Sequence, residues 1–177
     1  MRPFTLPWQD EAATAAFARI LAAQSAVVDA FITLHGDLGA GKTTLVRYLL
    51  QALGVAGRIK SPTYTIVETY TAAGTEAALA AGMDAEFAVS HFDFYRFNDP
   101  QEWEDAGFRD IFASPGLKLA EWPEKAAGLL PVADLEIHID AVGDSQRLVH
   151  LRAHSPRGNS LLQALEQAAG PSGEASA

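Results

Sequence analysis

Residues 27–54 read VVDAFITLHGDLGAGKTTLVRYLLQALG. Within them GDLGAGKTT, from Gly36 to Thr44, satisfies G-x-x-x-x-G-K-[ST] through Gly36, Gly41, Lys42 and Thr43. The run Val27 to Leu34 is short, β-branched and aromatic, as a buried strand is. From Lys42 to Leu53, the residues Leu45, Leu49 and Leu53 fall on one helical stripe, and Gly54 stands where a helix C-cap belongs. Strand, glycine-rich loop and helix together give the motif its chemistry. Glycines let backbone N–H groups converge on phosphate oxygens, the helix N-terminus adds positive potential, and the lysine reaches the outer phosphates. Gly36, Asp37, Leu38, Gly39, Ala40, Gly41, Lys42, Thr43 and Thr44 thus form the expected cradle for a nucleoside triphosphate. Lys42 is assigned to its phosphates and the Thr43 hydroxyl to magnesium.

Outward from this motif the chain alternates. Toward the N-terminus, Ala13, Phe17, Ile20 and Leu21 recur at helical spacing, which predicts an amphipathic helix over Trp8–Gln24. Toward the C-terminus, Tyr64–Tyr70 and Phe87–Phe97 read as strands. The Ala, Gly and Thr-rich stretch between them reads as a loop with room for one helical turn. Asp99 as N-cap and Pro100 at the first position predict a helix over Pro100–Ala106. Leu117–Glu121 reads as a strand and Pro123 opens a short helix to about Leu130. Leu135–Val142 and Leu148–His154 alternate in the period-2 manner as a hairpin, and Leu161–Ala168 is a final helix. Helices interleaved with apolar strands predict an α/β fold: the three-layer P-loop NTPase arrangement, mostly parallel with antiparallel additions. One domain is expected over residues 1–168, with a small polar tail over 169–177 expected to be disordered.

Composition sets the limits. The 177 residues are 49% hydrophobic and 20% charged, enough to bury a core and too apolar for a disordered chain. Thirteen Lys plus Arg against 22 Asp plus Glu leave a net charge of -9, which argues against broad contact with nucleic acid or an anionic membrane. The absence of cysteine excludes a disulfide framework, a thiolate metal site and a cysteine nucleophile, so a reducing cytoplasm is the expected location. Asp10, Glu11 and Arg19 interrupt the N-terminal apolar stretch, and no run approaches about 18 apolar residues, so neither a secretory signal nor a membrane span is expected.

A P-loop leaves the reaction open, and the next question is where carboxylates stand. In HFDFYR, Asp93 lies within or at the end of a strand, where it either holds magnesium or orients an attacking water; the competing reading pairs it with Arg96. Glu121, ending LKLAEW, is a magnesium-ligand candidate on the same grounds, and equally a solvated strand terminus. Thr63, in SPTYT, stands where a phosphate-sensing segment follows the P-loop helix, although a plain turn explains Ser61 and Pro62 as well. His91 either lines the nucleotide site or packs in its strand. His35, His138, His150 and His154 show no ligand spacing, so no structural metal is assigned.

The order GDLGAGKTT, SPTYTIVE, HFDFYR, LAEWPEK and DLEIHI resembles the bacterial TsaE (YjeE) family, over roughly Trp8 to His154. The resemblance implies an ATPase component of tRNA threonylcarbamoyladenosine biosynthesis that binds ATP and Mg2+. It would work with TsaD and TsaB, which carry the threonylcarbamoyl transfer, so that tRNA is met only through the complex. The resemblance also matches Thr63 to a switch-like segment, Asp93 to the acid of the family's HxDxYR, and Glu121 and Trp122 to its EW pair. Trp122 is expected on the nucleotide. The stretch between Tyr70 and His91 is longer than the resemblance implies.

Three other classes share the P-loop. A small-molecule kinase needs a lid bearing several arginines, whereas the nine here are scattered from Arg2 to Arg157. A GTPase needs an N-K-x-D motif, which is absent. A module that senses ATP without hydrolysing it fits every residue named if neither acid positions water.

Overall fold

The computed structural model describes residues 3–62, 64–73, 79–80, 82 and 86–170. Among the described residues seven strands form one sheet in the order β1-β7-β6-β2-β5-β4-β3: β1 Phe4–Trp8, β2 Phe31–His35, β3 Val67–Ala73, β4 Glu86–Asp93, β5 Leu117–Glu121, β6 Leu135–Ala141 and β7 Arg147–Ala153. The four central strands, β6, β2, β5 and β4, are parallel. Antiparallel additions flank them on both sides, β7 and β1 on one and β3 on the other. The helices are α1 Glu11–Ala22, α2 Lys42–Ala52, α3 Pro100–Asp105, α4 Phe108–Ala113 and α5 Pro156–Ala169. Among the described residues no helix is long and apolar enough to cross a membrane.

Strand alternation sorts the side chains into two layers. Ile32 and Leu34 of β2, Leu117 and Leu119 of β5, and Ile137 and Ile139 of β6 join the core that Phe17, Leu21, Leu45, Leu49 and Leu161 supply from α1, α2 and α5. On the opposite face Phe31, Phe92, Phe94, Trp103 and Phe108 form an aromatic cluster sealed by α3 and α4. By the same parity, the C-terminal ends of β4 and β5 turn Asp93 and Glu121 toward the face that α2 covers. The sheet thereby delivers two carboxylates to the N-terminus of the P-loop helix.

The structure corrects several expected boundaries. Trp8 belongs to β1: Phe4, Leu6 and Trp8 alternate, Pro7 sits where an edge strand tolerates it, and Asp10 then caps α1 by accepting from the Ala13 N–H at 3.0 Å. Two prolines and a length of five residues hide that alternation in the sequence. The run from Val27 is split, because Ser25–Asp29 winds into a 3-10 turn in which Asp29 accepts from the Gly116 N–H at 2.9 Å. β3 starts at Val67, since Ile66 adopts φ 64° in the preceding turn. β4 stops at Asp93, whose carboxylate accepts from the Tyr95 N–H at 3.0 Å and turns the chain out of the sheet. Pro123–Ala126 is a single 3-10 turn, and α5 begins at Pro156, capped by Ser155. α4 adds to the elements read from the sequence; Phe108, Ile111 and Phe112 are its contribution to the aromatic layer. Of the expected loop, Thr71–Ala73 extend β3 and Glu86 opens β4, and residues 74–78, 81 and 83–85 lie outside the described residues. Of the expected tail, Ala169 closes α5 and Gly170 is its C-cap, and residues 171–177 also lie outside them.

Candidate functional site

The turn from β2 into α2 is tight. Gly36 takes φ 139°, and a Cβ there would meet the Ile139 carbonyl oxygen at 2.4 Å, so only glycine lets the loop pass β6. Gly41 precedes α2 at φ 109°. Between them Leu38 is exposed at the loop tip, with Gly39 beside it, while Ala40 is buried. The Ala40 carbonyl accepts from Arg147 Nε at 2.7 Å, so the first residue of β7 braces the cradle. No local pattern marks Arg147, because its partner lies 107 residues away.

Lys42 is buried at the start of α2. Its ammonium donates to the carbonyls of Gly36 (2.5 Å) and Asp37 (3.0 Å) and lies 4.3 Å from the centroid of the Trp122 ring. Burial pushes its pKa down, while Glu121, Glu124, Asp93 and Asp37 push back. Such a poorly solvated cation is well placed to gain from an incoming phosphate. Next to it Thr43 Oγ1 donates to Glu121 Oε1 at 2.7 Å, and the other oxygen, Oε2, lies 2.7 Å from His91 Nε2. Glu121 is 2% exposed and His91 1%. Of the two open readings of Glu121, the solvated strand terminus is therefore excluded, and His91 packs in the sheet with its ring nitrogen on this acid.

Asp93, opposite Glu121 in the register, opens onto the cleft. Burial raises its carboxyl pKa, helped by Glu121; the Tyr95 N–H, His91 and Lys42 oppose the rise. Arg96, its expected alternative partner, lies instead over the Tyr64 ring at 5.5 Å. Leu38, Gly39, Thr44 and Ser61 complete a cleft of about 360 Å³ in which Lys42, Thr43, Asp93, Glu121 and Trp122 meet. Thr63 lies outside the described residues.

Thr44 and Gly41 also line a second hollow of about 180 Å³ with Trp8, Glu11, Asp144 and Arg147. Trp8 packs its ring edge-on against Phe17 at 5.0 Å, and its buried Nε1 has no hydrogen-bond partner. The sequence gives no hint of this hollow, which β1 and the β6–β7 turn build from opposite ends of the chain. His35, His138 and His150 stand in register on the far sheet face; His138 and His150 pair with Asp140 at 3.1 and 3.3 Å.

The chain as a whole has known relatives. The family model for the threonylcarbamoyl adenosine biosynthesis protein TsaE matches residues 8–149, which takes in the cradle, both acids and Arg147. The chain belongs to the TsaE family. Two relatives, each called tRNA threonylcarbamoyladenosine biosynthesis protein TsaE, come from Haemophilus influenzae and Bacillus subtilis. The first is 42% identical over 148 residues, 84% of this chain and 85% of its own length. The second is 34% identical over 154 residues, 87% and 88% respectively. The crystal structure of Bacillus subtilis YdiB superposes with a TM-score of 0.67 at 27% identity, covering 94% of this chain and 96% of that one. Among the features of this TsaE-family chain that the family model does not reach is α5, which packs on β7 and on α1.

Proposed function

We propose that this chain binds ATP with Mg2+ in the P-loop cleft and hydrolyses it, and that the hydrolysis supports turnover of a TsaD/TsaB transferase in cytoplasmic tRNA threonylcarbamoyladenosine biosynthesis. The observation that carries the reading is the hydrogen bond from Thr43 to Glu121 beside the buried Lys42. Because the Thr43 hydroxyl spends its proton on Glu121, its lone pairs face outward as a hard oxygen donor, the type that Mg2+ takes. Among the described residues no group of three or more His, Cys or carboxylate side chains is arranged to hold a metal. That fits an ion held by one or two protein oxygens, phosphate and water rather than by a protein cage. Bound there, Mg2+ would neutralise charge on the outer phosphates.

The chain's own residues divide the remaining work. Lys42 and the N–H groups at the start of α2 meet the charge that develops on the transferred phosphoryl group. Glu121 holds Thr43. Asp93 faces the cleft and makes no bond to Thr43, so it is the acid that orients the attacking water, whose oxygen forms the new bond to phosphorus as the bridging oxygen leaves with ADP. The nucleoside extends into the adjoining hollow, which Trp8, Glu11 and Thr14 line. Arg96 is the one arginine among the described residues lining the cleft, which weighs against a kinase lid.

Thr63 is assigned as the residue that senses the γ-phosphate only by the family resemblance, and a partner is needed for full activity, so hydrolysis by the isolated chain is slow and TsaD with TsaB accelerates it. Phosphate release with and without those partners tests this. Release that neither partner alters would contradict the role, and no release under any condition would leave an ATP-sensing module.

A further inference from the structure

We infer that His91 is a positioning residue for the nucleotide site: it locks the rotamer of Glu121 so that Oε1 stays on Thr43. The inference rests on the Mg·ATP reading above and extends it to a residue that touches neither nucleotide nor metal ion.

The ring's surroundings decide its tautomer. His91 Nε2 lies 2.7 Å from Glu121 Oε2, and Nδ1 is buried with no hydrogen-bond partner. A hydrogen on Nδ1 would leave a buried N–H unsatisfied and set the Nε2 lone pair against a carboxylate oxygen. The Nε2–H tautomer avoids both, so His91 donates to Glu121. Its one ring N–H goes to that acceptor. For packing alone, a leucine at this position, between Leu119 on β5 and Glu68 on β3, would serve.

Glu121 gains what it cannot find elsewhere. A carboxylate this deeply buried needs partners for both oxygens. Thr43 supplies one and His91 the other, one at each oxygen, so the carboxylate plane cannot rotate without losing a bond. Fixing that plane fixes where the Thr43 hydroxyl sends its proton, and hence where its lone pairs point. Outer partners of this kind typically change metal affinity by about 10–100-fold when removed.

The test compares three variants by titrating a fluorescent ATP analogue with increasing Mg2+, and separately in EDTA. His91→Gln keeps an N–H donor near the position of Nε2. His91→Asn is polar but too short to reach Glu121, and His91→Leu packs without donating. Expected are a Mg2+ requirement near wild type for Gln, raised roughly tenfold for Asn and Leu, and equal affinities in EDTA for all. Melting curves identify folded variants, and should Leu not fold, the Gln and Asn pair decides alone. Coincident Gln and Asn curves, or a folded Leu variant with the wild-type Mg2+ requirement, overturn the inference while the underlying reading stands. Wild-type protein whose nucleotide binding ignores Mg2+ overturns the underlying reading and the inference with it.

Discussion

Thr43 and Glu121, 78 residues apart in the chain, share a hydrogen bond of 2.7 Å. It joins the N-terminus of α2 to the C-terminal end of β5, across the central strand β2 that carries the P-loop. The β2–β5 register, with Leu34 beside Glu121, brings that strand end level with the start of the loop. The bond is therefore a product of sheet topology, and it exists before any ligand arrives. Preorganised contacts of this kind contribute more to catalysis than contacts assembled during the reaction.

Lys42→Ala is expected to remove ATP hydrolysis, with turnover falling by roughly 100-fold or more, as for other donors aimed at developing charge. The fold should survive, because the ammonium donates only to loop carbonyls and burial already disfavours its charged form. Phosphate release and a circular-dichroism melt check both halves; a folded variant with unchanged turnover contradicts the assignment.

Asp93 makes stability depend on pH in a particular direction. Burial raises its carboxyl pKa above the unfolded value, so the folded state favours the protonated form. The ionised form subtracts from stability, and the loss grows as pH rises from the ordinary aspartate value through the raised one. Asp93→Asn should therefore melt higher than wild type at pH 7 without nucleotide, by roughly 2–4 °C for each kcal/mol relieved. The gain should vanish below about pH 3.9, the ordinary aspartate range. A variant that melts lower at pH 7, while losing no turnover, would place Asp93 among structural residues.

Much of this arrangement is legible in the sequence, and the illegible part has a physical reason. Lys42 and Thr43 are marked by spacing within nine residues, and Glu121 by its place at the end of a five-residue apolar strand. Asp93 is visible as an acid, yet what ends β4 there is its own bond to the Tyr95 N–H, so the strand looks longer in the sequence, where Phe94 and Phe97 continue the apolar run. Arg147 and Trp8 escape notice because their value lies in contacts with residues 107 and nine positions away on other elements. Such contacts are set by the order of strands in the sheet, which local periodicity does not encode.

Trp8→Phe keeps an aromatic ring against Phe17 but cuts the indole back to a single ring where it lines the hollow. If the hollow beside the P-loop receives the nucleoside, affinity for ATP should fall by about 2–10-fold through lost apolar contact, with inorganic triphosphate binding unchanged. Titration of both ligands checks this, and equal weakening of both would move the nucleoside elsewhere.

Arg147→Met removes the brace on Ala40 while retaining an unbranched aliphatic stem. A looser cradle should weaken nucleotide binding several-fold, with little change in melting temperature because the guanidinium is partly exposed and bonded to carbonyls of its own hairpin. Isothermal titration beside a thermal melt separates the two; a large stability loss with intact binding would make Arg147 a strut of the hairpin alone.

On the proposed reading, ATP turnover at this cleft drives repeated rounds of tRNA modification. Its most direct test is a multiple-turnover assay with tRNA, TsaD, TsaB and the threonylcarbamoyl donor, supplemented with wild-type chain or Lys42→Ala. Product well beyond one equivalent of transferase is expected with the wild-type chain, and product stalled near one equivalent with Lys42→Ala. Equal yields from the two proteins would contradict it.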